Sequence, residues 1–469
     1  MITLRAGLRY ATPILVAVLL WPVPPPAGVE PEAMHLLAIL LATIVGIILK
    51  PLPMGAVAMV GIAATAATGT LSVGQSLSGF GNPTIWLIVL AFFISRGFIK
   101  TGLGARVAYH FMAWLGRRTL GLGYGLVATD LVLAPAIPSN TARAGGVVFP
   151  ILRSVAEAYG SRPGDGTARR VGAFLTVAAF QGTVITSAMF LTAMAANPLA
   201  VELAAAQGIT ITWAGWAVAA VVPGVCSLVL VPWILYRLFP PEVKETPEAV
   251  AVARERLREM GRVKRKEWVM VACFLLLLGL WILAEPLGIH TTTTALVGLV
   301  LLIVTQVLSW EDVLQEKGAW DTLVWFSALV MMATHLTELG FIPWFSRAAG
   351  SLFTGAGWVG GFLALSLVYF YSHYLFASNT AHVSAMYAPF LGVALALGTP
   401  PMLAALVLAF FSNLFSSMTH YGTGPAPVLF GAGYVEVGDW WRLGLVVSVV
   451  NLAIWLGVGG VWWRVVGVW

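Results

Sequence analysis

The chain has 469 residues, of which 59% are hydrophobic and only 10% charged, with a mean hydropathy of +0.89. That leaves too little polar surface to coat a water-soluble globule, which excludes soluble enzymes and binding modules and leaves an all-α polytopic membrane protein. The net charge of +6 fits basic cytoplasmic loops better than a nucleic-acid partner, and Cys226 and Cys273 sit in apolar runs with no metal or disulfide spacing.

Arg5 and Arg9 precede an apolar run from Tyr10 to Trp21 that ends in a proline cluster at Pro22 and Pro24 to Pro26. A signal peptide has the same outline, but no small-x-small cleavage site precedes the prolines, so residues 1–31 read as an N-terminal transmembrane helix. Met34 to Leu49 then runs inward to Lys50, Gly55 to Leu71 runs outward, and Thr84 to Phe98 returns to a cluster of Arg96, Lys100, Arg106, Arg117 and Arg118. Positive charge gathered there marks the cytoplasmic side.

Leu120 to Ile137 and Ala142 to Leu152 flank Ser139-Asn140-Thr141, with basic residues at both outer ends. A re-entrant hairpin entering from the cytoplasm keeps both basic clusters inside, where a full crossing would expose one. Val171 to Leu199 goes out with an interruption expected near Asn197-Pro198, and Trp213 to Leu238 comes back. Residues 32–239 thus form a first repeat, and 240–266, rich in arginine, lysine and glutamate, an amphipathic cytoplasmic connector.

The second half, 267–469, runs the same plan in the opposite sense. Its hairpin, with arms Trp358 to Ala377 and Ala381 to Leu397, has flanks poor in lysine and arginine and is expected to enter from outside. The final break lies at His420 to Pro427, and Trp441 to Trp463 crosses last. The expected total is about eleven transmembrane helices plus two opposed hairpins, with the N-terminus cytoplasmic and the C-terminus outside the cell (inner) membrane.

The halves announce their kinship in letters as well as in order. Ser139-Asn140-Thr141-Ala142-Arg143 returns as Ser378-Asn379-Thr380-Ala381-His382, and Thr101-Gly102-Leu103-Gly104 as Thr337-Glu338-Leu339-Gly340. Such an inverted repeat is a signature of secondary transporters. Irregular backbone at membrane depth survives only where it is buried in protein or lines a watery cavity, so two tips and two broken helices mark one shared central site.

The residue types at the tips suit a small anion. Asn140 and Asn379 offer amide donors, Thr141 and Thr380 hydroxyls, and each tip opens a half-helix whose free N–H groups and positive dipole end face the site. A ligand with two carboxylates can be held by one tip at each end. Carbonyls freed at the turns, with Asn and Ser oxygens, suit Na⁺.

The tip run through Gly146, the paired Ser-Asn-Thr, Asn82-Pro83-Thr84-Ile85-Trp86-Leu87, Leu191-Thr192-Ala193-Met194-Ala195 and Thr419-His420-Tyr421-Gly422 together resemble the divalent anion/sodium symporter family. The nearest likeness is to its branch of 2-oxoglutarate/malate translocators and bacterial citrate/succinate and tartrate/succinate antiporters, over nearly the whole chain. The resemblance implies an elevator-type transporter, usually a homodimer, carrying small dicarboxylates. It implies Asn140, Thr141, Asn379 and Thr380 as substrate ligands, with Thr423 and Pro425 completing the pocket. Candidate sodium ligands by the same likeness are Ser139 and Asn140 with Thr186 and Ser187, and Ser378 and Asn379 with the Thr423 to Ala426 stretch, including Gly424 and Ala426.

Exchange of one dicarboxylate for another needs no cation where fixed positive charge offsets the anion, and Arg143 and His382, directly after the tips, are candidates for it. Arg143 bonding hairpin carbonyls and His382 packed neutral is the alternative. Asp130, inside the first hairpin arm, admits two roles, pairing with Arg143 or serving as a proton or cation site. His335, His373 and His420 have no metal spacing and read as core histidines, and no cofactor beyond Na⁺ is expected. A Na⁺-coupled symporter and an inorganic anion (sulfate) transporter or channel remain alternatives to the exchanger. No Gly-x-Ser-x-Gly or Walker sequence suggests an enzyme or an ATP-driven pump.

Overall fold

The computed structural model describes residues 2–350 and 357–469. Helices build the fold, and the β contact among the described residues is an isolated bridge between Arg118 and Glu245. Among the described residues, five helices are long and apolar enough to cross a membrane: Pro31–Leu49, Pro83–Thr101, Gly172–Met189, Trp213–Leu238 and Val437–Val465. Shorter apolar helices, among them Met54–Ala67, Thr119–Leu133 and Thr291–Val304, pack between them.

The order of elements repeats. Thr119–Leu133, the Ser139 tip, Phe149–Ala158, Gly172–Met189 and Trp213–Leu238 in the first half answer to Trp358–Ser372, the Ser378 tip, Ala388–Ala396, Pro401–Leu414 and the last helix in the second. The likeness extends to an irregularity. Each tip starts one α-helical turn, Asn140–Arg143 or Asn379–His382, which widens into a π turn, Ala144–Val148 or Val383–Tyr387, before the α-helix resumes. Pro150 and Pro389 stand at the second position of the resumed helices. A proline there has no N–H to give to the carbonyl one turn back, and the wider turn accommodates the missing bond.

Both tips are capped alike. Ser139 Oγ accepts from Ala142 N at 3.1 Å and Ser378 Oγ from Ala381 N at 3.4 Å, so the serine of each motif satisfies one of the free amides that open its helix. Every residue of Gly172–Met189 is buried, and this helix is the post against which the first hairpin, Trp213–Leu238 and Pro401–Leu414 pack. Its chain breaks at Phe190, which is extended (φ −132°, ψ 138°), and again at Met194 (φ −150°, ψ 142°), then resumes as Ala196–Ala205. The interruption therefore precedes Asn197-Pro198, which falls in the first turn of the resumed helix, where proline is tolerated.

The first helix is continuous over Ile2–Leu20 and packs on Pro31–Leu49, with Trp21 stacked on His35 at 4.1 Å. The connector folds as Pro247–Met260, burying Ala249, Val250 and Ala253 against Leu103–Leu115. Just beyond it a buried ion pair, Arg106 Nε to Glu267 Oε1 at 2.7 Å, ties the start of the second half to the first. Glu267 also accepts from Lys264 N, and although burial works to raise its carboxyl, these bonds hold it below the usual carboxylate range.

Candidate functional site

A cavity of about 730 Å³ lies where the two halves meet, and both tips open into it. Ser139, Asn140 and Thr141 line one part, Ser378, Asn379 and Thr380 another. The breaks of the two long helices complete it, Met194 and Ala195 from the first half and Thr423 and Gly424 from the second. Ile47, Lys50, Pro51 to Met54, Gly318, Asp321, Thr322 and Trp325 face this assembly from helices outside the hairpins.

The halves are interlocked. Asn140 Nδ2 donates to Thr423 Oγ1 at 3.3 Å, so the first tip touches the second half's break. Gly424 sits so close that a Cβ there would lie 1.9 Å from Thr141 Oγ1, so any larger residue would have to displace Thr141. On the second tip Asn379 Nδ2 donates to Ser412 O at 2.9 Å and Ser416 Oγ at 2.7 Å. These bonds fix each amide and use both Nδ2 hydrogens of Asn379 and one of Asn140, so the donors left for an anion are the second Asn140 N–H, the Thr141 and Thr380 hydroxyls and the first N–H groups of the half-helices. Asn140 and Asn379 are almost fully buried, whereas Thr141 is exposed to the cavity.

Other predicted residues lie behind the cavity wall. Pro425 and Ala426 are buried in the turn after Gly424, with Ala426 N bonded to Thr423 O at 3.0 Å. Thr186 and Ser187 belong to a sealed cluster around Arg143, whose guanidinium is wholly buried and bonds Asp130 Oδ1 (Nε, 3.1 Å), Ile137 O (2.7 Å), Ala193 O (2.6 Å) and Ser187 Oγ (3.1 Å). Thr186 donates to the other Asp130 oxygen. A buried cation thus occupies a cage of one carboxylate, two carbonyls and a hydroxyl. Asp130 balances its charge.

The second half places a histidine pair in the corresponding position. His382 Nδ1 and His373 Nδ1 stand 3.1 Å apart, His373 Nε2 lies 3.0 Å from Gly422 O, and His382 Nε2 lies 3.3 Å from Ser372 Oγ. Phe415 stacks on both rings, with centroids 3.7 Å from His373 and 4.5 Å from His382, and Phe376 stacks on His382 at 4.6 Å. A carbonyl only accepts, so His373 Nε2 carries hydrogen. Ser372 Oγ lies 2.9 Å from Tyr369 O and has one hydrogen to give, either to that carbonyl or to His382 Nε2. With one proton between the two Nδ1 atoms, the contacts are made by a neutral pair when the hydroxyl turns to His382, or by a pair with a third proton and one positive charge when it stays on Tyr369 O.

His373 is the buried, hydrogen-bonded core histidine its sequence suggests; its pairing with His382 has no signal in the spacing, and the 3₁₀ turn His373–Leu375 brings it round. Other features carry no sequence signal. The Met194–Ala195 wall was displaced from the expected break, and Lys50, Asp321 and Trp325 carry no motif. His335 is paired with Glu338 at 2.7 Å, and His420 accepts from Trp441 Nε1 at 3.0 Å. Among the described residues no group of His, Cys, Asp or Glu has the arrangement of a metal site.

Comparison with known proteins gives concordant results. The family model of the sodium:sulfate symporter transmembrane region matches residues 5–469. YflS of Bacillus subtilis (strain 168), whose name proposes it as a malate transporter, is 58% identical over 457 residues, covering 97% of this chain and 96% of that protein. The chloroplastic dicarboxylate transporter 1 of Spinacia oleracea is 52% identical over 459 residues, covering 97% of this chain and 81% of that protein. Among solved structures, the YdaH transporter of Alcanivorax borkumensis superposes with a TM-score of 0.56 at 16% identity, over 85% of this chain and 88% of that one, a likeness of fold alone.

Proposed function

The chain belongs to the sodium:sulfate symporter family, the divalent anion/sodium symporters, and from that membership we propose that this membrane transporter exchanges one small dicarboxylate, of the malate, 2-oxoglutarate and succinate class, for another. The observation that carries the proposal is the single cavity flanked by both Ser-Asn-Thr tips. Two half-helix N-termini, each with a threonine hydroxyl, suit a ligand that is anionic at both ends. Asn140, Thr141, Asn379 and Thr380 bind the carboxylates in this reading, with Thr423 at the wall and Pro425 holding the turn behind it.

Exchange is favoured over Na⁺ symport by the Arg143 cage. Ser187 and the nearby carbonyls, expected as ligands for Na⁺ alongside Ser139, Asn140 and Thr186, are engaged by a guanidinium. On the other side, where Ser378, Asn379, Gly424 and Ala426 were expected to hold Na⁺, this reading assigns the positive charge to a protonated His373 and His382 pair. Arg143 fills a cation position without adding net charge, since Asp130 balances it; the attraction for a dianion comes from the helix ends and from His382.

For the membrane arrangement we adopt about eleven crossings with the hairpins re-entrant from opposite sides, an inverted repeat over 32–239 and 267–469, a cytoplasmic connector, an elevator movement and a homodimer in the inner membrane. Gathering of basic residues near Lys100, Arg117, Arg118 and the connector supports the cytoplasmic assignment. The test is uptake of labelled malate by proteoliposomes, with internal 2-oxoglutarate or empty, each with and without an inward Na⁺ gradient. Uptake that requires internal dicarboxylate and ignores Na⁺ is the expected result. Na⁺-driven uptake into empty vesicles overturns exchange in favour of symport, and sulfate uptake without malate uptake overturns the substrate class.

A further inference from the structure

We propose that Lys50 is a specificity-determining residue of this transporter, meeting the carboxylate that faces the mouth of the cavity and selecting dianions over monoanions. The inference rests on the dicarboxylate reading above and adds to it a residue outside both motifs.

Lys50 lines the same cavity as the two tips and is exposed there. It is the cationic side chain among those lining residues, and no hydrogen bond or ion pair engages its ammonium among the described residues. The other charged lining residue, Asp321, is already committed. Its Oδ1 accepts from Gly55 N at 3.2 Å, at the start of Met54–Ala67, where the positive end of the helix dipole offsets its charge. Lys50 is therefore the cavity's cationic side chain, with no hydrogen bond or ion pair on its ammonium among the described residues.

Its backbone argues that the side chain is wanted. Lys50 ends Pro31–Leu49 in the left-handed conformation (φ 50°, ψ 52°), a position that usually belongs to glycine. An L-residue with a Cβ costs about 1 kcal/mol there. A lysine at a helix C-terminus also interacts favourably with the dipole, which offers a purely structural reason for it. Lys50→Gly deletes the charge while relieving the backbone strain, so reading KM beside unfolding temperature separates the two reasons.

The experiment compares wild type, Lys50→Gly, Lys50→Gln and Lys50→Arg in proteoliposomes loaded with 2-oxoglutarate. The KM and maximal rate of malate exchange are measured at low and high ionic strength, with inhibition by the monoanionic half-ester of malate alongside. Thermal unfolding in detergent is recorded for each protein. Lys50→Gly and Lys50→Gln are expected to raise the malate KM about fivefold at low salt and to flatten its salt dependence. The maximal rate should stay within about twofold of wild type, since uniform binding is what is lost. Preference for malate over the half-ester should fall, and Lys50→Arg should keep the wild-type KM. A wild-type KM and salt dependence in both Lys50→Gly and Lys50→Gln overturns the inference, as does a KM change that tracks the unfolding temperature and not the charge. Failure of the wild type to exchange any dicarboxylate removes the underlying reading instead.

Discussion

His373 and His382 face each other Nδ1 to Nδ1 across 3.1 Å, in a pocket walled by Phe376 and Phe415, directly behind the second tip. The contacts at Gly422, Ser372 and Tyr369 admit a neutral pair or one with a single positive charge, and the exchange reading uses the charged form. Stacked aromatic faces favour a cation between them.

His382→Gln keeps a hydrogen-bonding group and removes the charge. The expected outcome is a rise of about three- to tenfold in the KM for malate with folded protein retained. KM values from proteoliposome exchange check it, and a wild-type KM would make the pair neutral packing.

Asn140→Ala and Asn379→Ala each delete a tip amide. For Asn140 this removes a free N–H, and a hydrogen bond to a charged group contributes about 1.5–3 kcal/mol; for Asn379 it releases the tip from Ser412 O and Ser416 Oγ, and in each case affinity should fall about 10- to 100-fold. Binding by calorimetry and monodispersity on size exclusion, taken together, distinguish a lost site from a lost fold; normal uptake by either variant would remove the central site.

Gly424→Ala places a methyl 1.9 Å from Thr141 Oγ1. Thr141 or the whole tip must shift, and a displacement of about 1 Å at a positioning group costs on the order of 100-fold in rate. Labelled malate exchange measures the loss. Gly146→Ala, where a Cβ meets nothing within 4 Å, is the control expected to behave as wild type.

Arg143→Gln strands Asp130 as a buried carboxylate, which destabilises a protein by about 3–5 kcal/mol. The vacated cage of Asp130, Ile137 O, Ala193 O and Ser187 suits a small cation. Unfolding temperature should drop in choline chloride and partly recover in NaCl, and any remaining exchange should become Na⁺-dependent. Equal unfolding temperatures in the two salts would count against a cation site there.

Asp312 receives bonds from Lys100 and Ser309; burial acts to raise its carboxyl, but these contacts prevail and bring it from 3.8 down to about 2. A depressed carboxyl contributes stability that is complete above its unfolded value and is lost as pH falls through the folded one. Unfolding temperature should therefore decline between about pH 4 and pH 2 in the wild type and more weakly in Asp312→Asn. Identical pH profiles would remove the Lys100 contact as a stabilising one.

The paired Ser-Asn-Thr motifs and the helices were legible in the sequence because these depend on local pattern, and an apolar run needs no partner to be seen. What was not legible depends on packing between distant segments. Asp130 as the partner of Arg143 stood as one of two roles until the hairpin arms were folded together. The π turns were not foreseen, since Pro150 and Pro389 by themselves do not say whether a helix kinks, breaks or widens. Lys50 lies 89 residues before Ser139 in a turn that looks like any other, and only the fold brings it to the same cavity.

The guanidinium of Arg143 is bonded into the chain, whereas a bound ion can be left on the far side of the membrane. On the exchange reading no ion gradient performs work through that position, and each cycle does no more than trade the concentration ratio of one dicarboxylate against that of another. The direction of flow then belongs to the metabolite pools on either side, and the same protein fills or drains a compartment as they change.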